Sequence, residues 1–583
     1  MAAQPVVTSD QHPGARSGAS RDPQDDRLDS WKEIAAFLKR GVRTVQRWEE
    51  TEGLPVHRHQ HAKLGSVYAL RSEVAAWWES RGTQLQPIAV PARFSGQTGR
   101  TGRRAARAPE ERTRKRLLVL PFVNLSGDAG QEFLSDGLTE EMITRLAQLE
   151  PERLAVIARS TAMTYKANAG RAGKIAAELD LDYILEGSVR AAGSRIRVTA
   201  QLVETREHTH LWAQTYDRDF SDVFALQSEV AEAIAREVHV VLPRTQADAS
   251  ARAAVNAEAY KAFLMGRYLM NRMTSAGLAQ SLEWFERAAQ QDPAMALAHA
   301  GIAQAYGLLA TVPFDALAPH EAMPKAAAAA RRAVELDPAL PEAHAALGLV
   351  QHHYEWNWTD AEKSYQRALE LNPEYSAALL RYAWLMIALG RPADALSHIE
   401  SAQRIAEEVD PHLIVVVRAT RAAAFYFARD FERSVAECND AIKLDPNDAL
   451  LYFLLGRALL RKGAVRQGVA ALTKITRLPE WEHMPLAVTG AGMARAVAGD
   501  KAATSQILRR LKEQKKSRNI PATYLGILCA GLRDFDAAFD WFERAFEERA
   551  DGLTLLNAEP MSDGMRKDPR FQKLVRRIGL VPK

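Results

Sequence analysis

The sequence predicts a multidomain chain with a small winged helix-turn-helix head, an α/β middle domain and an all-α solenoid of paired helices. Three patterns carry that prediction. Apolar residues at helical spacing give way to alternating strands and then to helix again within residues 28–82. Strands and helices alternate through residues 116–245. From 253 to 583 a helix ending in Asp-Pro or Asn-Pro recurs. Residues 1–27 read as a disordered leader, 83–115 as a basic flexible linker, and the end of the repeat array as a C-terminal cap. A chain of 583 residues is long enough for several independent cores.

In the repeats, FERAAQQDP, ARRAVELDP, YQRALELNP and CNDAIKLDP close at Pro293, Pro338, Pro373 and Pro446. In register with them stand Ala288, Ala333, Ala368, Ala402, Ala441 and Ala545. The step from Ala333 to Ala368 is 35 residues and the next, to Ala402, is 34. One helical turn earlier come Phe285, Ala330, Tyr365, Ile399, Cys438 and Phe542, which places a core residue beneath each small one. Leu347-Gly348 and Leu455-Gly456 mark helices that must approach a neighbour closely. Taken together, these features resemble the tetratricopeptide repeat, with six clear units and two degenerate ones around 467–475 and 501–511. The resemblance implies a superhelix whose inner face takes a protein or peptide partner. Tyr354, Trp356 and Trp358 read as gap fillers between repeats, with a ligand platform as the alternative.

In the head, Asp29-Ser30 caps a helix with Trp31, Ile34, Ala35 and Leu38 on one face, and Gly41 ends it. A second helix follows with Val42, Val45 and Trp48 inward and Arg43, Thr44, Gln46 and Arg47 outward. VHRHQH and SVYALR flank a turn at Lys63-Leu64-Gly65, and a third helix capped by Ser72 brings in Trp77-Trp78. This set resembles the winged helix-turn-helix of the MerR and excisionase group. The resemblance implies double-stranded DNA as partner, with Arg43, Thr44, Gln46 and Arg47 facing bases or nearby phosphates and Arg58, His59 and Lys63 reaching the backbone from the wing. Arg suits guanine and Gln suits adenine, so the chemistry agrees. It also implies pairing into a homodimer on two half-sites. Winged helices dock proteins as well, and Glu49, Glu50, Glu52, Glu73 and Glu79 bring this head close to neutrality.

Between residues 93 and 116 nine bases stand against Glu110 and Glu111, a local charge of +7. Such a stretch serves either as a solvated tether or as added attraction for phosphate. His57, His59 and His61 share one strand face, but no further ligands accompany them, so no metal is expected.

The middle domain opens with the strand LLVLPF and a helix begun by Asp136 and Gly137. After LAVIA and the helix KIAAELD, the strands YILEGSVR and IRVTAQLVE pair across Gly193, and VFALQSEVAEAIAREV closes the domain as a helix. The runs LPFVNLSGDAGQEFLSDGLTEEMITRL, YILEGSVR and LWAQTYDRDFSDVFALQSEVAEAI resemble the TolB amino-terminal-like domain, related to FlgO. That resemblance implies architecture more than activity. Asp136, Glu140 and Glu141 are expected at a solvated helix N-terminus, with Glu140 and Glu141 diverging by about 100°. Gly170, Gly173 and Lys174 lack the spacing of a phosphate loop, and Ile175 stands where Ser or Thr belongs.

Net charge is only +4, which leaves any nucleic-acid partner to local charge. Cys438 and Cys529 suit a reducing cytoplasm. The leader lacks a signal-peptide core, and Arg418 and Arg421 interrupt the longest apolar stretches, so no membrane association is expected. The expected function is a cytoplasmic bacterial transcriptional regulator, not an enzyme and without cofactor. A protein-interaction scaffold and a nucleotide-sensing signalling protein are the alternatives.

Overall fold

The computed structural model describes residues 27–28, 30–38, 45, 49, 54–58, 67–75, 77, 114–147, 153–166, 172–193, 195–207, 209–238, 256–408, 413–478, 481 and 484–582. Two compact units result, residues 1–108 and residues 109–583.

In the first unit, β1 (Arg27–Leu28), β2 (His57–Arg58) and β3 (Val67–Leu70) form a three-stranded sheet with β3 central. β2 and β3 run antiparallel, with His57 opposite Tyr68. α1 (Trp31–Phe37) lays Ile34 and Ala35 into a core with Val45, Leu54, Ala69 and Val74, because its apolar residues repeat at helical spacing. Ser30 begins α1 with a hydrogen bond from the Glu33 backbone N–H at 3.2 Å. Strand β1 takes in Arg27, the last residue of the expected leader, because the apolar Leu28 beside it finds a partner in Ala69.

The second unit opens with a mixed sheet. β4 (Lys115–Val119) pairs in parallel with β6 (Leu154–Val156) and β7 (Tyr183–Ala192), and β5 (Val123–Asn124) also pairs with β7. β7, β8 (Arg195–Glu204) and β9 (Thr209–Asp219) form an antiparallel meander turning at Gly193, whose φ is +61°. Leu117, Leu118 and Val119 are fully buried, as a central strand covered on both faces requires. α2 (Glu132–Ala147) and α5 (Val223–Glu237) pack on the sheet and on each other, while α3 (Arg159–Thr164) and α4 (Ala172–Leu179) connect the parallel strands. The expected linker already ends at Arg114, which donates to Glu374 at 2.9 Å and Glu408 at 2.8 Å before β4 begins at Lys115.

Seventeen helices follow among the described residues, forming eight antiparallel pairs and a final single helix. The pairs run from α6 (Ala257–Met270) with α7 (Ser275–Gln291), α8 (Ala296–Leu309) with α9 (Pro319–Leu336), and α10 (Pro341–Val350) with α11 (Trp358–Leu371). They continue through α12 (Ser376–Ala388), α13 (Pro392–Glu408), α14 (Leu413–Phe427), α15 (Phe431–Leu444), α16 (Ala449–Arg461) and α17 (Val465–Lys474). α18 (Pro485–Val497), α19 (Lys501–Gln514), α20 (Ala522–Gly531) and α21 (Phe535–Glu547) complete them before α22 (Pro569–Arg577). Ala288, Ala333, Ala368, Ala402, Ala441 and Ala545 are all fully buried. A Cβ on Gly348 would lie 2.8 Å from Tyr365, and one on Gly456 would lie 2.5 Å from Leu472, so both positions demand glycine. The first helices of successive pairs pack on one another and form one continuous inner layer.

Sheet and solenoid share one core among the described residues. Their buried residues form one hydrophobic cluster that runs from Leu117 to Val350. α2 lies directly on α6, where a Cβ on Gly137 would come within 2.7 Å of Leu264. From α5, Gln227 Nε2 donates to Tyr260 Oη of α6 at 2.8 Å.

Candidate functional site

Of the seven residues assigned to DNA, Arg43, Thr44, Gln46, Arg47, His59 and Lys63 lie outside the described residues. Arg58 is described as a backbone position in β2, paired with Val67. The fixed points around them are the buried Val45 and the hydrogen bond between His57 Nε2 and Glu73 at 2.7 Å. His57 also stacks on Tyr68, with ring centroids 5.0 Å apart, and Arg27 covers that tyrosine at 4.1 Å. One of the three alternating histidines is thus engaged by a carboxylate and an aromatic ring. Among the described residues no group of three His, Cys, Asp or Glu is placed to hold a metal ion.

The acidic residues of α2 differ most from expectation. α2 begins at Glu132, so Asp136, Glu140 and Glu141 sit inside the helix and not at a solvated end. Their neighbours explain the shift: Leu134, Leu138 and Met142 bury that face against the core. Asp136 is buried and accepts from Lys166 Nζ at 2.5 Å, and burial raises its pKa against the pull of that lysine. Glu140 and Glu141 do diverge around the helix, yet Arg267 of α6 bridges them. Its Nη2 binds Glu140, and its Nη1 lies 3.5 Å from Glu141. Arg159 adds a second contact to Glu140 at 3.0 Å, and Asn271 a third at 3.1 Å.

Their two carboxyls respond in opposite directions. Burial pushes Glu140 up, but Arg267 and Arg159 outweigh it and hold the group below its ordinary range. For Glu141, burial prevails over Arg267 and the adjacent Glu140 adds repulsion, lifting it to about 7. Glu342, at the start of α10, is raised by burial as well, and its Oε2 is sealed from solvent with no hydrogen-bond partner. Sequence reasoning missed Arg267 and Glu342. A charged residue inside the apolar run AFLMGRYLM was the available signal.

The chain's own end covers part of the inner layer expected to hold a partner. Tyr426 Oη donates to Glu559 at 2.5 Å, and Arg457 of α16 binds the same carboxylate. Arg429 grips Asp563 with two hydrogen bonds, at 2.7 and 2.8 Å, and Arg461 adds a third at 3.1 Å. Trp358 Nε1 donates to the Ile578 carbonyl at 2.8 Å, and His353 Nδ1 lies 2.5 Å from Asp551. Farther back, Tyr524 Oη donates to the buried Asp315 at 2.6 Å, joining the last repeat pair to the loop after α8. Trp356 and Trp358, expected to fill gaps between repeats, are buried against the chain's last residues: Trp356 meets Phe546 with ring centroids 5.2 Å apart, and Arg549 stacks 4.3 Å over it. Gly173 and Lys174 lie within the helix α4, and Gly170 lies outside the described residues.

Comparison with known proteins supports the middle domain and the repeats. Residues 113–233 match the second domain of HilA/YgeH-like transcriptional regulators, and residues 356–413 match a tetratricopeptide repeat. A putative adenylate cyclase 3 of Rhizobium meliloti (strain 1021) is 33% identical over 247 residues, covering 42% of this chain and 41% of that protein. The chain therefore spans about two fifths of the length of that curated relative. A tetratricopeptide repeat protein of Parabacteroides merdae is similar in structure at 15% identity, over 47% of this chain and 99% of its own, with a TM-score of 0.34. The pilF protein of Pseudomonas aeruginosa is similar at 15% identity, over 39% of this chain and 94% of its own, with a TM-score of 0.29. The chain thus carries a HilA/YgeH-like transcriptional regulator domain joined to tetratricopeptide repeats.

Proposed function

We propose that the protein is a DNA-binding transcriptional regulator whose repeat array holds a protein or peptide partner. The observation that carries this reading is the match of residues 113–233 to a domain of transcriptional regulators, next to a head of helix-turn-helix sequence pattern. In it, Arg43, Thr44, Gln46 and Arg47 read the major groove, and Arg58, His59 and Lys63 hold phosphates from the wing. The protein works in the cytoplasm as a homodimer on paired half-sites, with no reaction or cofactor of its own. The middle domain, TolB amino-terminal-like in its sequence runs, positions the head relative to the partner.

Fluorescence anisotropy of the full chain on DNA from its own upstream region tests the proposal. Affinity should fall steeply with salt, as released counterions require, and Arg47→Ala should weaken binding about tenfold. Absence of binding, or binding indifferent to salt, would refute it.

One observation favours a second reading, a scaffold whose head docks protein. The five glutamates of the head offset most of its bases, and Glu73 already engages His57. Partners captured by the full chain after nuclease digestion, and lost on Arg47→Ala, would favour it. The cyclase-named relative motivates a third, a nucleotide sensor, which calorimetry of the full chain with ATP and cyclic AMP would support or dismiss.

A further inference from the structure

Charge is not spread evenly along the chain. Between residues 461 and 518 thirteen Lys and Arg stand against four Asp and Glu, a local charge of +9, whereas the other 525 residues together carry −5. The stretch runs from the end of α16 through α17, α18 and α19. α17 and α19, each the second helix of its pair, belong to the outer layer, and α18 packs against both. Their apolar faces turn inward, with Ala471 and Leu472 buried on α17 and Leu508 and Leu511 buried on α19. Helical period then turns the intervening bases to water.

Arg466, Arg477, Lys501, Arg509, Arg510 and Arg518 are exposed, and their side chains make no ion pair or hydrogen bond among the described residues. Elsewhere on the outer layer, Arg332, Lys363, Arg367 and Lys443 each meet an acid three residues away. Like charges gathered without partners repel one another, and a bound polyanion relieves that repulsion. The kind of polyanion follows from what the surface lacks. Single strands and RNA loops are held by stacking on aromatic rings, and a membrane surface is held by apolar side chains that insert. Among the described residues of the stretch, the exposed large apolar side chains are Val465 and Val497, neither of them aromatic. What the surface offers is charge, which suits the phosphates of a regular duplex.

We propose that the outer face of the sixth and seventh repeat pairs binds the phosphate backbone of double-stranded DNA without regard to sequence. The choice of DNA over another duplex rests on the regulator reading above, whereas the charged surface stands without it. The array then has two working faces, with DNA on the outer one and a protein partner on the inner one.

Fluorescence anisotropy of the full chain on a duplex of unrelated sequence tests this. Binding should weaken steeply with salt. Arg466→Gln, Arg477→Gln, Arg509→Gln and Arg510→Gln together should weaken it about tenfold or more at about 0.1 M salt. They should also lower the slope of log affinity against log salt by about 2 to 4, since each phosphate contact contributes about 0.9. A control set, Arg332→Gln, Lys363→Gln, Arg367→Gln and Lys443→Gln, removes the same charge from the same layer and should lower the slope by less than about 1. All eight side chains are exposed, so neither set disturbs the core. The head is judged separately, by Arg47→Ala on upstream DNA, so that either reading can fail alone. The proposal is overturned if the natural chain leaves the unrelated duplex unbound at low salt, or if the first set binds like the natural chain. It is overturned equally if the control set loses as much, or if polyglutamate competes as well, charge for charge, as a second duplex.

Discussion

Glycine followed by arginine occurs in the first helix of two repeat pairs, at Gly266-Arg267 and at Gly456-Arg457, and the two places use it differently. Each arginine is largely buried and reaches a glutamate from outside its own repeat pair, Glu140 for the first and Glu559 for the second. Around Arg457 the charges pair one to one, and the guanidinium also lies 4.6 Å over Tyr426 and 5.1 Å over Phe453. Around Arg267 the acids are in excess. The same element of sequence thus locks the chain's end in one place and fastens the α/β domain to the first repeats in the other. What surrounds the arginine decides which of the two it does.

The largest test of this contrast removes each arginine in turn. Arg267→Ala strands Glu141 and leaves Glu140 to Arg159 and Asn271, and should cost about 4 kcal/mol, whereas Arg457→Ala leaves Glu559 with the Tyr426 hydroxyl and should cost about 3 kcal/mol. Urea unfolding compares them, and adding Glu141→Gln should recover part of the first loss but none of the second. Equal losses, with no rescue, would mean that the acid excess has no energetic consequence.

A smaller effect appears in the pH dependence. Asp315 is lifted by burial from 3.8 to about 7, with the Tyr524 hydroxyl opposing and Asp551 reinforcing. The folded chain then holds a proton that the unfolded chain has released. Stability from this group is complete below the unfolded value, falls as pH rises from about 4 to 7, and is level above that. Asp315→Asn should flatten that part of the melting-temperature profile and raise stability at pH 8. A profile identical to that of the natural chain would remove Asp315 from the account.

The smallest effect belongs to the exposed rim of the clasp. Arg429 keeps 42% of its side-chain surface exposed, so despite its two hydrogen bonds Arg429→Ala should cost only about 0.5 kcal/mol. Hydrogen exchange at residues 551–565 should rise in this variant, and more so at high salt for the natural chain. Loss of the whole array's stability on this single change would show that the clasp is central to folding.

The repeats were legible because their signal is local. Ala288, Ala333, Ala368, Ala402, Ala441 and Ala545 could be placed one turn after a core residue from spacing alone, and all six are fully buried. The strands around Gly193 were legible for the same reason, since alternation and a turn residue lie within a few positions. β9 was missed because THLWAQTYDRD alternates poorly, being an edge strand with most of its side chains in water. In the candidate DNA-binding face, the sequence nominated Arg43, Thr44, Gln46 and Arg47 from the inward pattern of Val42, Val45 and Trp48, and Val45 is buried.

By itself, then, the order of residues determined most of the helices and strands and the faces most of them bury, because 3.6-residue and two-residue periods are properties of a short segment. Only the tertiary structure decided that Arg267 meets Glu140, 127 residues earlier, and that Arg457 meets Glu559, 102 residues later. It also decided that Oε2 of Glu342 is left without a hydrogen-bond partner. Period says which way a side chain points, whereas the identity of what it meets depends on how the whole superhelix winds.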